Sequence, residues 1–210
     1  AVGGELSPQR LIAAYQRGIF PWYEEPQPIM WWTPDPRSII KPQWLHVSRS
    51  LAKTLRKNQF KLSIDQHFEQ VMQNCAKSRK DGLGTWIGRQ MLDAYTELHQ
   101  LGLAHSIEVH DLRGKLVGGL YGVSLGRAFF GESMFSTQSD ASKVALVALV
   151  YLAKQTGLEV IDCQVESDHM NSLGARCVSR VDFERLLEHT VHHAVDSAIW
   201  TLPDQCGELL

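Results

Sequence analysis

Prolines and tryptophans are concentrated between Phe20 and Arg37, a segment that holds five of the eight prolines and three of the six tryptophans. Proline lacks a backbone donor and restricts the residue before it, so a long helix cannot cross this segment. We therefore predict an extended, rigid path. Its aromatic side chains need a surface to pack against, either a neighbouring domain or a ligand.

The rest of the chain carries helical and strand patterns in a mixed order. Helical patterns occur at 8–17, 48–57, 65–78, 88–101, 144–155 and 168–173, and strand patterns at 60–64, 105–109, 116–123, 127–131 and 160–165. This order predicts an α+β fold. We expect a small N-terminal α/β domain, residues 1–60, and a larger domain, residues 61–210.

Composition sets limits on the class of protein. A net charge of −2 means that any binding of a polyanion depends on a local patch. The four cysteines include no CxxC pair, which favours reduced thiols over a disulfide framework or a zinc ribbon. The longest apolar run, Val144–Ala153, is about half of the ~20 residues that span a bilayer. We expect a soluble, intracellular protein.

One such local patch is predicted on the second helix. Arg49, Lys53, Arg56 and Lys57 share one broad helical face, and no acidic residue lies between positions 37 and 64. A solvated surface face is one interpretation. The other is a contact with phosphates, because several cations on one face release counterions from a polyanion.

Polar residues mark two places in the predicted sheet. Glu132 follows a predicted strand and could hold a cation, serve as a base or form a surface ion pair. Asp162 and Gln164 interrupt an apolar strand and, by alternation, point to the same face. An unpaired buried polar group costs about 1–3 kcal/mol, so these two are either paired structurally or functional.

Other candidate sites are weak. His189, His192 and His193 lack the remaining ligands of a zinc protease site, and Ser133 lacks the GxSxG elbow of a hydrolase. Gly118 and Gly119 lack the phosphate-binding GxxxxGK[ST] pattern and are better explained by close packing of a strand on a ligand or helix. We predict neither a metal site nor a covalent nucleophile, Cys163 included.

Several strings rich in tryptophan and glycine occur in a fixed order along nearly the whole chain. They are Gly18–Trp22, Trp31–Arg37, Gly84–Ile87, Ala94–His99, Ala104–Glu108, Gly118–Val123, Gly131–Ser136, Asp140–Lys143, Ile161–Gln164 and Ser172–Ala175. In these strings the sequence resembles the bacterial leucyl/phenylalanyl-tRNA–protein transferases. Since members of that family usually carry residues before Gly3-Gly4, the chain is expected to be trimmed at its N-terminus.

The resemblance implies a catalytic domain with the fold of GNAT acyltransferases. It also implies transfer of Leu, Phe and, less well, Met from aminoacyl-tRNA to proteins that begin with Arg or Lys, which marks them for degradation. The donor ester is already activated, so no cofactor, metal or ATP is expected. The expected protein is a cytoplasmic monomer without membrane contact.

The resemblance also suggests roles for individual residues. Gln164, supported by Asp162, would lie beside the attacking amine, and Glu132 would face the cationic side chain or ammonium of the acceptor. An amide is a very weak base, so we expect Gln164 to orient the amine and Asp162 to polarise the amide. The suggested aminoacyl pocket is Leu120, Phe129, Met134, Leu146, Leu149 and Ile161; the suggested 3′-adenosine contacts are Trp22, Trp86 and Tyr95. The basic helical face becomes the expected tRNA-backbone contact.

Two rival functions stay open at this point. An acyl-CoA N-acyltransferase is one, although the stretch from Glu132 to Asp140 lacks the glycine pattern that binds the CoA pyrophosphate. A non-catalytic tRNA-binding module is the other; it would explain the basic helix but not Glu132, Asp162 and Gln164.

Overall fold

The computed structural model describes residues 1–77, 87–195 and 200–210. The helices are α1 (Pro8–Tyr15), α2 (Arg49–Arg56), α3 (Phe68–Lys77), α4 (Arg89–Gln100), α5 (Ala141–Thr156), α6 (Asp168–Ser172) and α7 (Arg180–Thr190). The strands are β1 (Phe20–Pro21), β2 (Trp31–Trp32), β3 (Arg37–Ile40), β4 (Phe60–Ile64), β5 (Ala104–Asp111), β6 (Leu116–Leu125), β7 (Ala128–Ser136), β8 (Val160–Gln164) and β9 (Arg176–Val178).

The proline-rich segment contains no helix. It forms the short antiparallel pair of β1 and β2, in which Phe20 faces Trp32, and then enters β3. This confirms the predicted extended path. The aromatic residues here differ in exposure: Phe20 is buried, while Trp22 and Trp32 are partly exposed and pack edge to face.

The large sheet has seven strands in the order β4-β5-β6-β7-β8-β3-β9. Neighbouring strands are antiparallel except β7 and β8, which are parallel and are connected by α5. A parallel pair needs such a crossover, whereas antiparallel neighbours can be joined by tight turns. The predicted α+β class is confirmed.

The pairing of β7 and β8 determines where the sheet opens. It ends at Phe130 and Asp162, although β7 continues to Ser136 and bonds there to β6. Glu132 therefore lies within β7, and its predicted place in a loop after the strand is wrong. Cross-strand pairing with β6 extended the strand, which local sequence patterns do not reveal.

Helices cover both faces of the sheet. Helices α1, α3 and α4 pack on one face, and α2 and α5 pack on the other. The apolar run predicted as a helix forms most of α5, which ends at Thr156 and is capped by Gly157. At Gly118 an added Cβ would lie 2.5 Å from the Cβ of Ala141 in the first turn of α5, which confirms that this glycine serves close packing.

One predicted helix begins later than expected. Asp65, the first residue of the pattern at 65–78, has a φ of 58° and lies outside α3, which starts at Phe68. Its carboxylate instead accepts hydrogen bonds from the backbone N–H of Ser106 at 2.8 Å and contacts Nδ1 of His105 at 2.7 Å. Partners on β5 thus hold Asp65 outside the helix.

The division of the chain at residue 60 stays a prediction. The position of β3 between β8 and β9 argues for an earlier boundary, because β3 precedes residue 60 and belongs to the large sheet. Among the described residues, the structure contains no helix long and apolar enough to cross a membrane.

Candidate active site

Glu132 is the centre of a buried hydrogen-bond network. Tyr15 donates to Oε1 at 2.6 Å and Tyr95 donates to Oε2 at 3.1 Å. The side-chain amide of Gln164 also donates to Oε1, at 3.1 Å. The two tyrosine hydroxyls also contact each other; since each carries a single proton, a hydrogen bond between them replaces one of the two donated to Glu132. Helices α1 and α4 and strands β7 and β8 thus each contribute one group.

Burial dominates the electrostatics of this network. It raises the pKa of Glu132 to about 7, while the hydrogen bonds from Tyr15 and Tyr95 act in the opposite direction. The nearby Asp162 raises this pKa further and Arg37 lowers it. Burial also raises the pKa of both tyrosines well above the ordinary value, so they remain hydrogen-bond donors at neutral pH.

Asp162 is fully paired within the protein. Arg37 on the adjacent strand β3 donates from Nε to Oδ1 at 2.8 Å and from Nη2 to Oδ2 at 2.6 Å, and neither side chain is exposed. The remaining guanidinium nitrogen donates to the carbonyl of Gly18 at 2.8 Å. The guanidinium also lies 5.0 Å from the ring centroid of Phe20 and 4.6 Å from that of Phe183.

Gln164 is held by two different contacts. Its backbone N–H donates to Oδ1 of Asp162 at 2.9 Å, and its backbone adopts a left-handed φ of 63°, which is uncommon for a residue other than glycine. Its side-chain amide points to Glu132. The expectation that Asp162 polarises this amide is therefore wrong: Asp162 supports the backbone of Gln164, because its oxygens already face Arg37.

A first cavity of about 360 Å³ opens beside Glu132, between β7, β8 and α5. All six residues suggested for the aminoacyl side chain line it: Leu120, Phe129, Met134, Leu146, Leu149 and Ile161. A second cavity of about 210 Å³ also borders Glu132. It is lined by Phe20, Pro21, Trp22, Glu132, Cys163, Gln164, Val165, Glu166 and Ser167.

The two cavities meet at shared residues. Glu132, Cys163 and Ser167 line both of them, whereas Gln164 lines the second cavity and Asp162 the first. Burial raises the pKa of the Cys163 thiol, which keeps the thiol protonated and a poor nucleophile. The ionisable group between the cavities that can exchange a proton near neutral pH is thus Glu132.

The second cavity has acidic and aromatic walls. Glu132 and Glu166 supply carboxylates, and Phe20 and Trp22 supply rings; no lysine or arginine of the described chain lines it. Glu166 accepts a hydrogen bond from Asn171 at 3.0 Å and one from the thiol of Cys177. No cation among the residues that the structure covers pairs with it.

The two described residues suggested to contact the terminal adenosine differ in the exposure of their side chains. Trp22 is 42% exposed and lines the second cavity, so its ring can be reached by a ligand. Tyr95 is fully buried and bonds to Glu132, so its suggested contact with adenosine is wrong. Trp86 lies outside the described residues.

The basic face on α2 is exposed as predicted. Arg49, Lys53, Arg56 and Lys57 all face solvent, while Leu51 and Leu55 pack into the core. In the described ranges none of the four cations forms an ion pair within 4 Å.

Tyr15 and Arg37 are part of the network and were not found from the sequence. Tyr15 occupies an apolar position of an amphipathic helix, and its hydroxyl meets a residue 117 positions away. Arg37 was noted only as part of a resembling string. Its one distinguishing signal is a cation two residues before the apolar Ile39 and Ile40 on a buried strand.

Comparisons with known proteins cover nearly the whole chain. The family model "Leucyl/phenylalanyl-tRNA protein transferase" matches residues 39–188, and the model of that family's N-terminal domain matches residues 4–35. A leucyl/phenylalanyl-tRNA–protein transferase from Nitrosospira multiformis is 52% identical over 200 residues, covering 95% of this chain and 86% of the relative. One from Pseudomonas putida is 52% identical and covers 95% and 88%.

Solved structures resemble the fold more distantly. A GCN5-related glucosamine N-acetyltransferase region of a fungal multi-domain β-N-acetylglucosaminidase aligns with a TM-score of 0.47 and 15% identity. The alignment covers 69% of this chain and 20% of that one.

Proposed function

The chain belongs to the leucyl/phenylalanyl-tRNA–protein transferase family, and from this premise we propose that its two cavities bring an aminoacyl-tRNA and a protein N-terminus together at Glu132 and Gln164. The reaction moves leucine or phenylalanine from the tRNA to the N-terminus, so the protein is an aminoacyltransferase. The observation that carries the proposed placement is that Glu132 lines both cavities.

The first cavity is the proposed site for the side chain of the donor amino acid. Its apolar walls suit leucine and phenylalanine, and Met134 gives it an adaptable edge that also suits methionine. Ligand cavities of this kind combine apolar walls with a few polar groups that fix orientation. Here Glu132 is such a group.

The second cavity is the proposed site for the first residue of the acceptor. The carboxylates of Glu132 and Glu166 attract a cationic side chain by charge, which supports arginine or lysine at that position. The α-amine would then lie against Glu132 and the free oxygen of the Gln164 amide. The amide nitrogen is occupied by Glu132, which turns the amide oxygen toward an incoming N–H donor.

The tRNA contacts follow from the same arrangement. Trp22 at the second cavity offers a ring on which the 3′ adenine can stack, a contact worth about 1–3 kcal/mol. The exposed face of α2 carries the cations for the tRNA backbone. We propose that the protein works in the cytoplasm as a monomer, where charged tRNA is available, and that its products are marked for degradation.

Positioning supplies most of the catalysis in this proposal. The donor ester is already activated. Holding the amine at attack distance from the ester carbonyl carbon can lower the barrier by about 7–11 kcal/mol. Gln164 orients the amine, and Asp162 holds the backbone of Gln164 through a bond to its N–H. Arg37 in turn fixes Asp162.

The test is a transfer assay with labelled Leu-tRNA or Phe-tRNA and three peptides that begin with Arg, Lys or Ala. We expect label on the Arg and Lys peptides and little on the Ala peptide. Acetyl-CoA is the control donor for an acyl-CoA acyltransferase. Labelling from acetyl-CoA, or binding of tRNA without any transfer, would contradict the proposed function.

A further inference from the structure

We infer that Glu132 is the proton acceptor of the transfer step, and that Tyr15 and Tyr95 are positioning residues that hold its carboxylate at the junction of the two cavities. This inference rests on the proposed function, since it concerns the amine and ester that meet there. It differs from a role in cation binding, because the carboxylate receives a proton and returns it within each cycle.

The geometry supports a carboxylate that is both fixed and accessible. Glu132 is only 8% exposed, yet it lines both cavities. Its two oxygens accept three hydrogen bonds, from α1, α4 and β8, so the carboxylate cannot rotate away from the junction. A group that touches both cavities is placed to reach the acceptor nitrogen and the leaving oxygen of the donor.

Glu132 is the suitable base because it lines both cavities, whereas His169 lines only the first cavity and Glu166 only the second. Gln164 offers only an amide, which is a very weak base. Asp162 has both oxygens engaged by Arg37, so protonation there would break a buried ion pair. Effective bases have a pKa near the working pH, and burial raises the pKa of Glu132 to about 7.

The proposed step balances without another reactant. The acceptor amine enters in its neutral form, which is accessible because a peptide α-ammonium has a pKa of about 8. Its nitrogen bonds to the ester carbonyl carbon, and the bond from that carbon to the tRNA 3′ oxygen breaks. The nitrogen gives one proton to Glu132, and the carboxyl group passes this proton to the 3′ oxygen. The products are a peptide bond, a tRNA hydroxyl and the original carboxylate.

The groups around Glu132 determine the sign of the pH effect. Tyr15 and Tyr95 face it from α1 and α4, with Tyr121 beside Tyr95 on β6. Asp162 on β8 and Arg37 on β3 act on its charge, and His169 and Glu166 line the first and the second cavity that it borders. Donation from either tyrosine stabilises the ionised carboxylate, so Tyr15→Phe or Tyr95→Phe raises the pKa of Glu132. The active, ionised form is then reached only at higher pH.

The experiment measures single-turnover transfer from Phe-tRNA to one Arg-starting peptide between pH 5.5 and 9. Wild type, Glu132→Gln, Tyr15→Phe and Tyr95→Phe are compared with Tyr151→Phe, which removes a hydroxyl on α5 outside both cavities. We expect Glu132→Gln to lose about 10²–10⁴-fold in rate. We expect Tyr15→Phe and Tyr95→Phe each to move the acid limb of the pH–rate profile to higher pH. Tyr151→Phe should leave this limb in place.

The controls separate the inference from folding and from the proposed function. The pKa of the acceptor amine is the same with every variant, so a limb that moves reports the protein. Binding of Phe-tRNA and thermal unfolding identify variants that fail to fold, and an infrared titration detects the Glu132 carboxyl group directly in wild type. A transfer rate of Glu132→Gln within threefold of wild type would overturn the inference. So would tyrosine variants whose pH–rate profiles keep the acid limb of wild type. Absence of transfer by wild type would instead overturn the proposed function.

Discussion

The guanidinium of Arg37 and the carboxylate of Asp162 form a buried two-point ion pair, with both side chains fully inaccessible to solvent. This pair joins β3 to β8 and holds the oxygen that accepts the backbone N–H of Gln164. A residue from the proline-rich segment thus supports Gln164, the residue proposed to orient the amine.

Loss of Arg37 is expected to destabilise the fold strongly. Arg37→Met leaves Asp162 buried without a partner, and removal of one member of a buried pair typically costs about 3–5 kcal/mol. The free energy of unfolding, measured in urea, checks this. Arg127→Met is the control, since its pair with Glu159 is exposed and is worth at most about 1 kcal/mol. Equal losses in the two variants would contradict the structural role of Arg37.

The basic face of α2 is expected to set the salt dependence of tRNA binding. Each phosphate contact that is lost reduces the slope of log K against log salt by about 0.7–0.9. The double variant Lys53→Ala/Arg56→Ala should therefore flatten the slope by up to about 2. The measurement is the binding constant for Phe-tRNA at salt concentrations from about 50 to about 300 mM.

The matched control for the basic face lies in the turn between β5 and β6. Arg113 and Lys115 are exposed, and Arg113→Ala/Lys115→Ala removes the same charge from a different surface. A slope that falls equally in both double variants would show that net charge, and not the face of α2, controls binding.

The first cavity is expected to control the choice of amino acid. Met134→Ala enlarges it, so leucine loses contacts while the larger phenylalanine can use the space that opens. We expect the ratio of kcat/KM for Phe-tRNA over Leu-tRNA to rise by about tenfold or more, since one methylene group in an apolar pocket is worth about 1–3 kcal/mol. Competition between the two charged tRNAs measures this ratio. Leu112→Ala, at an exposed position, should leave it unchanged.

Glu166 in the second cavity is expected to contribute to recognition of the cationic side chain of the acceptor. Glu166→Gln removes the charge but keeps a hydrogen-bond acceptor for Asn171. Because Glu166 is exposed, the KM for an Arg-starting peptide should rise only about two- to fivefold. Glu188→Gln on α7 is the control. An unchanged KM in the Glu166 variant would remove this residue from acceptor recognition.

Local sequence patterns were sufficient for the elements with strong periodicity. The apolar run of α5, its end at Gly157 and the polar interruption of β8 at Asp162 were all visible without the structure. These features depend on neighbours in the chain. The six side chains that line the first cavity were predicted from the family resemblance. They are far apart in the sequence, so no local pattern connects them.

The parts that could not be predicted depend on distant partners. Tyr15 looked like an ordinary core residue, and its polar function appears only when α1 meets β7. The segment with Pro34 and Pro36 predicts an extended path but not the strand that follows it: β3 lies in the sheet because β8 and β9 pair with it. Contacts between residues more than 100 positions apart leave no local signal.

The most direct test of the proposed site is the rate of single-turnover transfer by Gln164→Glu at pH 7. In the structure the amide of Gln164 donates to Glu132 at 3.1 Å, so a carboxyl group in its place puts two like-charged groups in contact and raises the pKa of the pair. We predict a loss of at least 100-fold in the rate, with Phe-tRNA binding retained, and partial recovery as the pH rises. A rate within threefold of wild type would mean that a carboxylate base suffices at position 164, and it would contradict the placement of an orienting amide beside Glu132.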